Sequence, residues 1–358
     1  MSLSIGIIGL PNVGKSTLFN ALADNNVLAA NYPFATIEPN TGTVPVPDER
    51  LAELAGLYKT QKIVAASVTF IDIAGLVAGA AEGEGLGNQF LSHIRSCNAL
   101  VQVVRIFEDD NVINSSGEAP DAKKDIGVIT TELVLADLQT VDNRLPKLDK
   151  ESRANPKLRP RVENLQTARN LLDAGQPIWQ KPELITGLAD LQLLTAKPII
   201  YVFNCNENDL NNCQMNTKYT QLVAPAKAIF ISAKLEDELR SLDEDDRSEM
   251  LASYGQSKSG LDQLIRAAYD TLGLQSFLTA GAKEVRAWTI KKATSAPQAA
   301  GVIHGDFQRG FIAAQIIDYD DLISAGSEAA AKSAGKIRTE GKDYIMQPND
   351  IAEFRFNV

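Results

Sequence analysis

The 358-residue chain is 44% hydrophobic and 22% charged with a net charge of −10, the composition of a globular protein with room for two or three domains. No apolar run approaches the roughly 20 residues of a membrane span, and Cys97, Cys205 and Cys213 are too few and too irregularly spaced for a disulfide framework or a zinc site. The acidic balance argues against indiscriminate coating of nucleic acid, and a chain that starts directly on strand and loop leaves no room for a targeting segment, so a reducing cytoplasm is the expected home.

The first element is an apolar, β-branched run, Leu3–Ile8, patterned as a buried parallel strand. Gly9-Leu10-Pro11-Asn12-Val13-Gly14-Lys15-Ser16 follows, spelling G-x-x-x-x-G-K-S, and Thr17–Leu22 then reads as a helix. Strand, glycine loop and helix in that order form a phosphate cradle. Backbone N–H groups from Asn12 to Thr17, Val13 and Gly14 among them, would wrap a phosphate at the positive helix end. Lys15 would reach the β- and γ-phosphates, and Ser16 would bind Mg²⁺.

Two further signals come in the order of a Ras-like switch. Thr36, in Tyr32-Pro33-Phe34-Ala35-Thr36, can complete Mg²⁺ coordination while a γ-phosphate is present. Asp72-Ile73-Ala74-Gly75 ends the strand run Val68–Ile73; Asp72 would hold Mg²⁺ through water and the Gly75 N–H would touch the γ-phosphate. Gly79, Gly83, Gly85 and Gly87 then make a segment costly to order, which predicts a mobile second switch. Ras-type enzymes orient the attacking water with a glutamine directly after D-x-x-G, but this chain has Leu76. Either hydrolysis is slow or another group positions the water; Asn88, Gln89, His93 and Asn114 have the chemistry for it. His93 also fits a packing role on a helix with Phe90, Leu91 and Ile94, and His304 reads as structural. Asn12 stands where an asparagine in some P-loop switches helps bind a monovalent cation, which makes K⁺ a candidate ion; a loop-shaping hydrogen bond is the alternative.

Ala99–Ile106, Ile199–Asn204 and Ala228–Ser232 complete a set of five strand-like runs separated mostly by helical patterns, as in a doubly wound α/β domain. The interval after the third is too long for one crossover. Val134, Leu138, Val141, Leu145 and Leu148 step through it as a heptad seam. Pro146, Pro156 and Pro160 then predict a bend or end of that helix, and Leu158, Val162, Leu165 and Leu172 suggest a returning partner. This reads as an inserted antiparallel helical hairpin. Arg144, Lys147, Lys150, Arg153, Lys157, Arg159, Arg161 and Arg169 outnumber Asp149, Glu151 and Glu163 there, a local excess of five positive charges that could meet phosphate backbone. An ordinary helical subdomain that binds nothing is the alternative. The acidic run Glu236–Glu249 reads as a solvated face.

Asn204 ends the fourth strand run, where the purine-reading asparagine of an N-K-x-D motif belongs. Here the motif is Asn204-Cys205-Asn206-Glu207. The longer Glu207 misplaces the carboxylate that would accept guanine N–H groups, while the Asn204 amide can pair with either purine. ATP is therefore preferred over GTP, although a shifted Asn206-Glu207-Asn208-Asp209 register would restore N-x-x-D. Ser232-Ala233-Lys234 resembles the S-A-K loop of GTPases, whose backbone could contact either base. After Gly273 the pattern changes to a small α+β module, with strands over Glu284–Ile290, Asp343–Met346 and Ile351–Asn357 and a helix over Ala299–Ala314.

Together, Gly9–Ser16, Asn31–Gly42, Phe70–Arg95, Asn204–Glu207, Lys283–Ile290 and Phe354–Val358 resemble the YchF or Obg-like ATPase family, a branch of the Obg-related factors, over essentially the whole chain. The resemblance implies an α/β fold: a Ras-like P-loop NTPase domain (1–124 and 199–278), an inserted coiled-coil hairpin (125–198) and a C-terminal β-grasp, or TGS, module (279–358). It further implies slow, Mg²⁺-dependent ATP hydrolysis and association with the ribosome and its RNA, with no role at membranes or on DNA. The family replaces the catalytic glutamine with a hydrophobic residue, which fits Leu76. Many bacterial relatives carry a histidine at the place of Asn114, and asparagine cannot act as a general base.

Overall fold

The computed structural model describes residues 3–24, 41–73, 86–108 and 120–357. Thr36, Gly75, Leu76, the glycines of the second switch up to Gly85, and Asn114 lie outside them. Among the described residues, twelve strands form two six-stranded sheets. In chain order they are β1 (Ser4–Gly9), β2 (Thr41–Pro45), β3 (Ile63–Val64), β4 (Ser67–Asp72), β5 (Ala99–Arg105), β6 (Ile199–Asn204), β7 (Lys227–Ile231), β8 (Leu274–Ala280), β9 (Val285–Lys291), β10 (Phe311–Asp318), β11 (Arg338–Glu340) and β12 (Asp350–Phe356). The helices used below are α1 (Lys15–Asp24), α2 (Arg50–Tyr58), α3 (Leu86–Ser96), α4 (Ala122–Ala154) and α5 (Arg159–Asp173).

The chain divides into two compact units, 1–44 with 69–268, and 45–68 with 269–358. The first is built on the sheet β2-β4-β1-β5-β6-β7. β1 pairs in parallel with β4 and β5, β5 with β6, and β6 with β7. Every residue of β1, β5 and β6 is buried, which is why these strands read as unbroken apolar runs rather than alternating ones. The C-terminal ends of β1, β4 and β6 carry Gly9, Asp72 and Asn204, so three motifs far apart in sequence meet along one rim of the sheet, where open α/β folds bind ligands.

The hairpin is present, with one difference from the sequence reading. α4 does not stop at Pro146 but runs for 33 residues through it, and it ends at the second of the three prolines, with Asn155 as its cap before Pro156. Proline removes one helix hydrogen bond, but Pro146 is exposed, and the flanking Val141 and Leu148 are buried in a core shared with Leu165, Ala168 and Leu172 of α5. Packing against the partner helix holds α4 together across the missing bond. The helix starts at Asp121, whose carboxylate accepts the Lys123 and Lys124 N–H groups at 3.0 and 3.1 Å, and ends at Asn155, directly before Pro156. At the hairpin root the Asp137 carboxylate is fully buried and accepts from the Leu194 and Thr195 N–H groups and the Thr195 hydroxyl at 2.8, 2.7 and 2.7 Å. Arg95, in the last turn of α3, donates to the Thr140 hydroxyl at 3.0 Å.

The second unit carries the sheet β11-β10-β12-β8-β9-β3. The helix Ala296–Ile303 buries Ala296, Ala299 and Ala300 in one core with Phe277, Ile316 and Phe354. Four expectations change here. Ala299–Ala314 is not one interrupted helix: it divides into helices Ala296–Ile303 and Gly305–Arg309 and then enters β10. Asp343–Met346 is not a strand but a turn with an isolated bridge from Ile345 to Ser295. Segment 45–68, which the sequence reading keeps with the nucleotide domain, belongs to this second unit. The Arg50 guanidinium ties α2 to Asp48, the Pro348 carbonyl and Asn349 at 2.7, 2.7 and 3.0 Å, and the Tyr319 hydroxyl donates to Glu53 at 2.6 Å. Strand β8 also starts this unit earlier than residue 279.

Candidate nucleotide site

The loop between β1 and α1 has the backbone of a phosphate cradle. Asn12 sits at φ 62° and Gly14 at φ 90°. Asparagine is one of the few side chains that visit the left-handed region readily, whereas Gly14 is required on two grounds. Its φ is strained for any other residue, and an added Cβ would lie 2.2 Å from Asn204 Nδ2. A Cβ on Gly9 would fall 3.0 Å from the Val103 carbonyl oxygen. Both glycines are thus fixed by close approach of the chain to itself.

Lys15 is the first residue of α1, only 9% exposed, and its ammonium pairs with the Asp72 carboxylate at the end of β4. Ser16 and Thr17, in the same first turn, are exposed. The lysine, the hydroxyls and the acid that the sequence assigned to phosphate and metal therefore share one end of the sheet. Hydroxyl and carboxylate oxygens are the hard donors that Mg²⁺ takes alongside water and substrate phosphates. Thr36 and Gly75 lie outside the described residues.

At the other end of the site Asn204 is 5% exposed. Its Nδ2 donates to the Val13 carbonyl at 2.9 Å, and its Oδ1 accepts from the Ala233 N–H at 3.0 Å. An amide has two N–H groups and two lone pairs on oxygen, so these two bonds use one donor and one acceptor of the carboxamide. Ser232 is buried, and its hydroxyl accepts from the Leu235 N–H at 3.3 Å, capping the helix Ala233–Leu239. Glu207 starts the short turn Glu207–Asp209 and lies 3.4 Å from the Lys234 ammonium. Glu207, with Glu238 beyond it, raises the pKa of that ammonium.

Cys205 departs from its expected place. Its side chain is 3% exposed and packs with Leu210, Leu235, Leu239 and Leu251, and burial pushes the thiol up to about 12. It is a core residue beside the site, because the backbone turn after β6 directs it inward, with its N–H bonded to the Ile231 carbonyl at 2.9 Å. His93 is exposed rather than packed, and the side chains of Asn88 and Gln89 lie outside those described. His304 is structural, as expected: its Nδ1 accepts from the Asp306 N–H at 3.2 Å and caps a short helix. Sequence reasoning missed two partners here, the Ala233 N–H on Asn204 and Lys234 on Glu207. The S-A-K spelling was their only trace, since pairing across loops leaves no spacing signal.

A parallel sheet with a glycine loop, a lysine at the helix start and an asparagine clamped at the far strand end defines a P-loop nucleotide-binding domain. Residues 4–132 match a family profile described as 50S ribosome-binding GTPase, and residues 274–357 match the YchF-type GTPase C-terminal domain, described as a protein of unknown function. The chain is 45% identical to the Ribosome-binding ATPase YchF of Bacillus subtilis over 367 residues, and 45% identical to that of Escherichia coli O157:H7 over 372, with all of each chain covered. The solved structure of the Schizosaccharomyces pombe YchF GTPase superposes with a TM-score of 0.87 at 38% identity, covering 99% of this chain and 98% of that one. A GTP-binding protein from Pyrococcus horikoshii, at 20% identity and TM-score 0.62 over 99% of this chain and all of its own, shares the fold. The chain belongs to the YchF family.

Proposed function

We propose that this chain binds ATP in preference to GTP, hydrolyses it slowly with Mg²⁺, and acts in the cytoplasm as a nucleotide-controlled switch on the ribosome. The observation that carries the reading is the union of Lys15 with Asp72 at one end of the site and of Val13, Asn204 and Ala233 at the other. That arrangement supports the reading of one cradle for a triphosphate and a purine. The full-length likeness to proteins named ribosome-binding ATPase supports the partner and the base, although the yeast relative is named a GTPase.

Ser16 and Asp72 would hold Mg²⁺, joined by Thr36 when the γ-phosphate is in place. A metal held there would supply charge neutralisation to the phosphates. The chain's own part is to aim the loop N–H groups and Lys15 at the phosphates, and through Gly75 to sense the last of them. Asn204 presents one N–H to purine N7. With Leu76 unable to hydrogen-bond, nothing on the first residue after D-x-x-G orients water, which accords with slow turnover. Loss of the γ-phosphate would release the two switch segments. The exposed cations at the hairpin tip are the surface best suited to ribosomal RNA.

Titration of nucleotide-free protein with ATP and with GTP, both with Mg²⁺, tests the base. Multiple-turnover phosphate release tests the chemistry. Tighter binding of ATP with slow but repeated turnover is expected; burst-free binding with no phosphate release would leave a non-catalytic nucleotide sensor.

A further inference from the structure

We propose that Lys234 is a specificity-determining residue, tipping the site toward adenine by holding the Glu207 carboxylate. The proposal rests on the reading that a purine lies between the loop after β6 and the start of the helix Ala233–Leu239. Those two loops are joined at two places. Asn204 Oδ1 takes the Ala233 N–H at 3.0 Å, and the Lys234 ammonium stands 3.4 Å from Glu207 and 4.0 Å from Glu238. Glu207 is largely enclosed, its side chain 18% exposed, whereas that of Lys234 is 76% exposed.

A bare carboxylate at Glu207 would offer acceptors only. Guanine turns two donors, N1–H and N2–H, toward that edge of the ring; adenine turns the N1 lone pair, which a carboxylate repels. The extra methylene of Glu207 makes it a poorer hydrogen-bond partner for guanine than an aspartate, but an unpaired carboxylate near that edge would still favour guanine over adenine by its charge. The ammonium of Lys234 changes the balance in two ways. It offsets the charge of Glu207, and it keeps the carboxylate directed at itself rather than at the base. The Ala233 N–H, a donor that a 6-oxo purine could use, is already engaged by Asn204. The pair and the clamp thus both remove what guanine would gain, leaving Asn204 to read features that the two purines share or that adenine supplies.

The test uses the full-length protein with Mg²⁺ and measures affinities for ATP, GTP and inosine triphosphate, which keeps N1–H but lacks the 2-amino group. Lys234→Ala should lower the ratio of ATP to GTP affinity by about fivefold or more, with inosine triphosphate shifting in the same direction as GTP. Lys234→Arg should retain the native ratio, and Lys234→Ala combined with Glu207→Gln should restore it to within about twofold. A ratio unchanged in Lys234→Ala, or equal weakening of all three nucleotides, overturns the proposal. The single variant Glu207→Gln is a second check, expected to leave or raise the preference for ATP; a shift toward GTP would also overturn it. If the native protein prefers GTP, the ATP assignment fails by itself, and the direction of the Lys234→Ala shift still decides the role of Lys234.

Discussion

Asn204 and Val13 are 191 residues apart in sequence and joined by a 2.9 Å hydrogen bond from the asparagine carboxamide to the loop carbonyl. The same carboxamide accepts the Ala233 N–H at 3.0 Å. One side chain therefore ties the loop after β1 to the start of the helix Ala233–Leu239. Asn204→Ala would leave two backbone groups buried without partners, at a cost of about 1–3 kcal/mol each. A lowered melting temperature of the nucleotide-free protein is expected together with weaker binding of every purine triphosphate. A variant that melts like the native protein would show that the clamp contributes nothing in the free state.

Lys15 is the test of the phosphate end. Its ammonium is nearly buried and paired with Asp72. Lys15→Ala is expected to abolish nucleotide binding in calorimetry, because it removes the cation for the β- and γ-phosphates and leaves the Asp72 carboxylate facing them. Micromolar affinity for ATP in that variant would count against the site.

A pH effect should originate at Glu236. Its side chain is buried in the first turn of the helix Ala233–Leu239, with Oε1 accepting the Gly260 N–H at 2.6 Å, and burial first of all raises its pKa from 4.5 to about 7. A raised carboxyl pKa means that the folded state holds the proton more tightly than the unfolded chain. Stability should therefore fall as pH rises from about 4.5 to about 7 and level off above that, by an amount on the order of 1–3 kcal/mol. Glu236→Gln, which keeps an acceptor and removes the charge, should flatten that part of the profile and raise stability at pH 8. Chemical denaturation across pH in both proteins measures it; parallel profiles would refute the assignment.

The parts of this molecule that were legible in advance are those written in local pattern. β1, β5 and β6 appear as apolar runs because every one of their residues is buried, and the seam Val134, Val141, Leu148 repeats with the helix period that α5 must match. The phosphate loop was legible because glycine and lysine are demanded there by backbone geometry and charge. What stayed hidden depends on tertiary structure. Pro146 reads as a helix stop until α5 is seen packed on the same turns. Ile63–Val64 is too short to show a period, yet it pairs in parallel with Val285 and Arg286. Cys205 stands in a binding motif by position, but the turn after β6 sends it into a leucine cluster.

The hairpin gives the last test, and the structure refines which cations matter. Of the basic residues there, Arg144 pairs with Glu151 at 3.1 Å, Arg153 with Asp149 at 2.9 Å, Arg169 with Asp142 at 2.7 Å, and Arg161 with Asp190. Lys147, Lys150, Lys157 and Arg159 are exposed and make no ion pair with a described residue. Exposed pairs such as Arg153 with Asp149 are weak, so Arg153 can exchange its partner for a phosphate, but the other four cations have no such partner to give up. Neutralising Lys147, Lys150, Lys157 and Arg159 to glutamine should weaken ribosome association and flatten its dependence on salt, by roughly 0.7–0.9 in log–log slope for each phosphate left without its cation. Neutralising Arg144 and Arg169 instead should change the slope little, since their charges are already balanced by Glu151 and Asp142. Sedimentation with ribosomes over a series of potassium chloride concentrations separates the two sets. Equal slopes for the native protein and the four-residue variant would remove the hairpin tip from the RNA interface.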